Sequence, residues 1–74
     1  MRGYTVILHP AEEGGYWVDV PALPGCYSQG ETEEEALVRI REAIEAHIEV
    51  LQEDGQRIPP DQKAVIRQVD VAIA

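Results

Sequence analysis

The chain has 74 residues, 45% of them apolar, with 14 Asp and Glu against 6 Lys and Arg and a net charge of −8. That length holds one domain, spanning residues 1–74, with a core thin enough to call for a partner subunit. The acidic balance excludes a binder of phosphate backbones, whose affinity comes from Lys and Arg, so no direct nucleic-acid contact is expected.

Tyr4 to His9 is short, β-branched and aromatic and stops at Pro10, which reads as a first strand. Ala11-Glu12-Glu13-Gly14-Gly15 is polar and closes on two glycines, as a hairpin loop does. A second strand follows over Tyr16 to Val20, with Tyr16, Val18 and Val20 on one face and Trp17 and Asp19 on the other. Pro21-Ala22-Leu23-Pro24-Gly25 turns the chain into a short third strand, Cys26 to Gln29.

Thr32 and Glu35 then form a capping box, with Glu33, Glu34 and Glu35 at the positive end of a helix dipole. Leu37, Ile40, Ile44, Ile48 and Leu51 recur at steps of three and four, an apolar stripe that faces the sheet. Gly55 and Pro59-Pro60 end this helix, which runs from Glu33 to Asp54, roughly 33 Å at about 1.5 Å per residue. Ala64 to Ile73 alternates again and predicts a fourth strand. The fold class is therefore α/β in the α+β sense, two layers with β-β-β-α-β order and three antiparallel strands before the helix.

No catalytic constellation is visible. Ser28 is the only serine, His9 and His47 are the only histidines, and no nucleophile elbow surrounds Ser28. Cys26, His9 and His47 lack metal-ligand spacing, so neither a metal nor a cofactor is expected. Cys26, the single cysteine, reads as a small hydrophobe in a reducing compartment. No apolar run approaches the roughly 20 residues of a membrane span. Met1-Arg2-Gly3-Tyr4 lacks a signal-peptide core, so a cytoplasmic protein is expected.

Two surfaces stand out. Alternation places Ile7 and Trp17, joined by Tyr27, on the sheet face away from the helix, an apolar patch of the kind that marks interfaces. Glu34, Glu42, Glu45, Glu49 and Glu53 form a single-sign helix surface that would steer a basic partner. Arg39 follows Glu35 by four residues and Arg41 precedes Glu45 by four, so both arginines are expected in helix-surface ion pairs.

Gly15 to Cys26, with its aromatic strand and Pro-Ala-Leu-Pro-Gly-Cys turn, resembles the signature of the HicB family. Gly30-Glu31-Thr32-x-x-Glu35-Ala36 resembles that family's helix start, and Ile58-Pro59-Pro60 its segment after the helix. The resemblance implies a degenerate, ribonuclease-H-like domain acting as the antitoxin of a toxin–antitoxin system. The implied partner is HicA, a small basic mRNA-cleaving toxin that the antitoxin neutralises by shielding its surface. Full-length relatives add a C-terminal DNA-binding domain. With the chain ending at Ala74, that domain and operon repression through it are expected to be absent.

The partner-binding residues expected on this reading are Ile7, Trp17, Tyr27, Glu42, Glu45 and Glu49, together with a homodimer or higher homo-oligomer. One alternative is an orphan homo-oligomeric domain without a toxin. Another is a metal-dependent nuclease, which the lack of any carboxylate between Tyr4 and His9 disfavours because the metal cluster cannot close. No enzymatic activity is expected.

Overall fold

A computed structural model describes residues 2–73. Three strands, β1 (Ile7–Pro10), β2 (Tyr16–Asp19) and β3 (Tyr27–Gly30), precede one long helix, α1 (Glu33–Glu53). The sheet is antiparallel, in the order β1-β2-β3.

The hairpin loop sets the register. Ala11 N–H donates to the Gly15 carbonyl and Gly14 N–H to the Ala11 carbonyl. Gly14 and Gly15 take φ of 99° and 78°, a region that L side chains rarely enter. Pro10 therefore lies opposite Tyr16, His9 opposite Trp17, Leu8 opposite Val18 and Ile7 opposite Asp19.

β2 stops one residue before the expected Val20 because the Val20 carbonyl turns to accept from Leu23 N–H. The Leu23 carbonyl accepts from Cys26 N–H in turn, so Cys26 belongs to the turn and β3 begins at Tyr27. β1 starts at Ile7 and not at Tyr4, because the preceding residues bind the segment after the helix. The Tyr4 hydroxyl donates to the Pro59 carbonyl at 2.5 Å, and Thr5 binds Asp61.

Thr32 caps α1, its hydroxyl accepting from Glu35 N–H at 3.1 Å. At the other end Gly55, with φ of 68°, donates to the Gln52 carbonyl and Gln56 N–H to that of Leu51. This paired arrangement around a left-handed glycine closes the last turn one residue earlier than expected, leaving Asp54 as the cap.

The helix packs over β3 and β2. Val18, Val20, Ala22, Leu23, Cys26, Ala36 and Ile40 form the buried core, with Tyr4, Val6, Leu8, Tyr16, Ala43 and Ile44 against it. Gly30 allows the close approach of strand and helix, since a Cβ there would lie 2.5 Å from the Ala36 nitrogen.

Two expectations are corrected here. The fourth strand over Ala64 to Ile73 is not formed: these residues pair with nothing in the sheet and are exposed throughout. Alternation favours a two-faced extended segment, but a strand also needs a neighbour for its backbone N–H and C=O groups. Leu37, assigned to the sheet-facing stripe, is 41% exposed. It lines a groove beside Tyr4, Val6, Ile44 and Ile48 that no strand among the described residues closes.

Candidate partner-binding surface

Strand alternation divides the sheet cleanly. Leu8 and Val18 point into the core layer with Ser28, which lies opposite Val18. Ile7, His9, Trp17, Asp19, Tyr27 and Gln29 share the other face, which the helix does not cover. Three of the six expected partner-binding residues, Ile7, Trp17 and Tyr27, are thus brought onto one surface. Ile7 is half-buried, whereas Trp17 and Tyr27 are 43% and 70% exposed.

Trp17 is held in place by a neighbour that sequence reasoning passed over. The His9 ring stacks on it with centroids 3.7 Å apart and planes inclined by 10°. His9 Nε2 also meets Asp19 Oδ1 at 2.9 Å. The signal was available, because a loop of Ala11 to Gly15 places His9 opposite Trp17 once Pro10 faces Tyr16. The cross-strand stack lowers the side-chain freedom that Trp17 would otherwise lose on binding. Asp19, on the same outward face as Trp17, meets His9 there.

The remaining three residues, Glu42, Glu45 and Glu49, are exposed on α1. Ala36 and Ile40 define the buried side of the helix. At 100° per residue Glu45, Glu49 and Glu42 fall on the far side of the helix from Ile40. Glu42 and Glu49 therefore look away from the sheet, Glu45 borders the groove that also holds Tyr4 and Val6, and none of the three lies on the face of Trp17. The structure separates the six residues into two surfaces.

Of the two expected helix ion pairs, Glu35–Arg39 forms at 2.9 Å. Arg41 and Glu45 make no ion pair among the described residues. An acidic residue four positions before a basic one is the favoured order on a helix, and Arg41–Glu45 reverses it. Glu45 is thereby left as an uncompensated acid.

Ser28 lies on the core side of the sheet while His9 and Asp19 lie on the open side, so these three residues do not assemble into a nucleophilic site. Among the described residues no three His, Cys, Asp or Glu side chains stand close enough to hold a metal ion. Cys26 is buried, and desolvation pushes its thiol pKa up, which disfavours the reactive thiolate. No described helix is long and apolar enough to cross a membrane.

Comparison with known proteins gives a consistent result. The family described as "HicB_like antitoxin of bacterial toxin-antitoxin system" matches residues 4–72. A UPF0150 protein of Thermoplasma acidophilum is 55% identical over 58 residues, covering 78% of this chain and 84% of that one. A UPF0150 protein of Synechocystis is 47% identical over 62 residues, covering 84% and 78% respectively. Antitoxin HicB 1 of Photorhabdus laumondii is 45% identical over 56 residues, which span 76% of this chain and 36% of that antitoxin. An aromatic hairpin, a Pro-Gly turn, a capped acidic helix and this match over nearly the whole sequence lead to one assignment: the chain belongs to the HicB-like antitoxin family.

Proposed function

We propose that this protein binds and neutralises a small basic HicA-type mRNA-cleaving toxin in the cytoplasm by shielding the toxin's surface. The observation that carries this reading is the open sheet face, where Trp17 is stacked by His9 and flanked by the exposed Tyr27. Preset aromatic side chains on an uncovered face suit an anchor that a partner buries. The docking residues on this reading are Ile7, Trp17 and Tyr27.

Glu42, Glu45 and Glu49 act differently, because they face away from that surface. Their charge adds to the acidic field that draws a basic partner in, and they need make no contact once it has docked. The same domain self-associates as a homodimer or higher homo-oligomer, since a core of this size gains from further apolar burial.

The test is to search beside the gene for a reading frame encoding a small basic protein, co-express the two, isolate the complex, and measure RNA cleavage by that protein with and without this chain. Stoichiometric inhibition that Trp17→Ala weakens supports the reading. A folded wild-type chain that neither binds nor inhibits that neighbour overturns it and leaves the orphan homo-oligomer.

A further inference from the structure

The residues after the helix present an unsatisfied strand. Val65, Ile66, Val69, Val71 and Ile73 are 73%, 75%, 78%, 71% and 88% exposed. In period-two terms Val65, Val69, Val71 and Ile73 share one face with Arg67 between them, while Ile66, Gln68 and Asp70 lie on the other, so the unbroken apolar stretch is Val69, Val71 and Ile73. Such a segment is built to lie on an apolar surface with its other side in water. The described residues have a radius of gyration of 14.8 Å, against about 11 Å for a compact chain of this length. The excess comes from this segment standing off the body.

The same chain carries a surface to receive it. A groove lined by Tyr4, Val6, Leu37, Ile44 and Ile48, with Arg41 and Glu45 also bordering it, runs between α1 and the residues leading into β1. β1 is an edge of the sheet, with backbone groups free to pair. We propose that residues 64–73 of one chain add as a strand along β1 of a second copy, their apolar face closing that copy's groove, and that the exchange is reciprocal. This deepens the homo-oligomer reading given above by naming the segment that joins the copies, and it does not depend on any toxin.

Three observations favour a second copy over the chain's own groove or another protein. Asp61 is pinned to Thr5, and the adjacent Pro59 and Pro60 stiffen the approach to it, so a rigid elbow directs residues 62–73 outward. Short constrained hinges of this kind favour exchange over folding back. The charges also allow it. In residues 61–73, Asp61 and Asp70 cancel Lys63 and Arg67, so all of the −8 resides in the preceding residues. Two acidic bodies repel face to face, whereas a neutral strand can reach across at about 3.3 Å per residue.

The area is also sufficient. Full burial of a Val or Ile removes about 60–120 Å² of apolar surface on the usual transfer coefficient. Four such side chains from each copy, with the matching area of the two grooves, bring the total to about 1,000–2,000 Å². A stable dimer of standard size buries about 1,200–2,000 Å².

The test uses the full chain at micromolar concentration, with mass from light scattering and amide hydrogen exchange over residues 64–73. The expected result is twice the 8.2 kDa chain mass, with tail amides protected and both properties lost on dilution. Val69→Lys with Val71→Lys should return a folded monomer with exchanging tail amides. Their wild-type side chains are exposed and outside the core in the single chain, so circular dichroism should stay unchanged. A monomer with a protected tail overturns the proposal in favour of folding back. A dimer that survives the double variant overturns it while leaving self-association intact. Tail protection that appears only when the toxin is added assigns the strand to the toxin and overturns it as well.

Discussion

Thr5 and Asp61 stand 56 residues apart and are joined twice: Thr5 N–H donates to Asp61 Oδ1 at 2.7 Å, and the Thr5 hydroxyl to Oδ2 at 2.9 Å. With the Tyr4–Pro59 bond they fasten the segment after the helix to the residues that lead into β1. The Thr5 amide, foremost among several groups, holds the Asp61 carboxyl below its ordinary pKa. A carboxylate lowered in the folded state adds stability above its unfolded pKa of about 4 and loses that contribution as pH falls through the lower folded value. Asp61→Asn should therefore lower the melting temperature at pH 7, and the gap to wild type should close as pH is taken below about 4. Thermal melts across that range check it.

Gly30 is required by space. Any side chain there meets the Ala36 backbone, which cannot yield without moving the first turn of α1. Gly30→Ala should cost about 2 kcal/mol of stability, in the range of core overpacking. Gly14→Ala meets nothing within 4 Å and carries only the strain of a φ of 99°, so it should cost less. Urea midpoints of the two variants rank them.

Thr32→Ala removes the oxygen that satisfies Glu35 N–H at the start of α1. A loss of about 1 kcal/mol is expected, typical of such caps. Because α1 supplies Ala36 and Ile40 to the core, the loss should appear in the global urea transition and not as local fraying.

The two faces of the domain should affect toxin binding differently. Trp17→Ala should speed dissociation, by about 2 kcal/mol if Trp17 is the buried anchor. His9→Ala should do so more weakly, by releasing the ring that Trp17 stacks on. Glu45→Gln with Glu49→Gln should slow association and flatten its salt dependence, since exposed charges act over about 8 Å at physiological salt. Association and dissociation rates for each variant separate the two. Pure protein incubated with labelled RNA and Mg²⁺ should show no cleavage.

Cys26 should behave as a core side chain. Its thiol should react slowly with a disulfide reagent at pH 8 in the native state and rapidly in denaturant, because burial raises its pKa and blocks access.

Local chemistry was sufficient for much of this molecule. The two glycines after Glu13 and the proline before Ala11 encode the hairpin, and with it the face shared by Ile7 and Trp17. Thr32, Glu35 and Gly55 encode both ends of the helix through bonds that span no more than five residues. The His9–Trp17 stack followed from the same register, though only pairing the strands residue by residue exposes it.

Tertiary structure decided the rest. Whether Tyr4 and Thr5 join β1, and whether Leu37 is buried, depends on where the chain goes after Pro60, which no local pattern encodes. The separation of Trp17 from Glu45 arises from which face of the sheet the helix covers. The alternation from Val65 to Ile73 determines that the segment has two unlike faces. Whether it becomes a strand depends on a neighbouring backbone to accept its hydrogen bonds, and within a single chain the sheet ends at β1 without one.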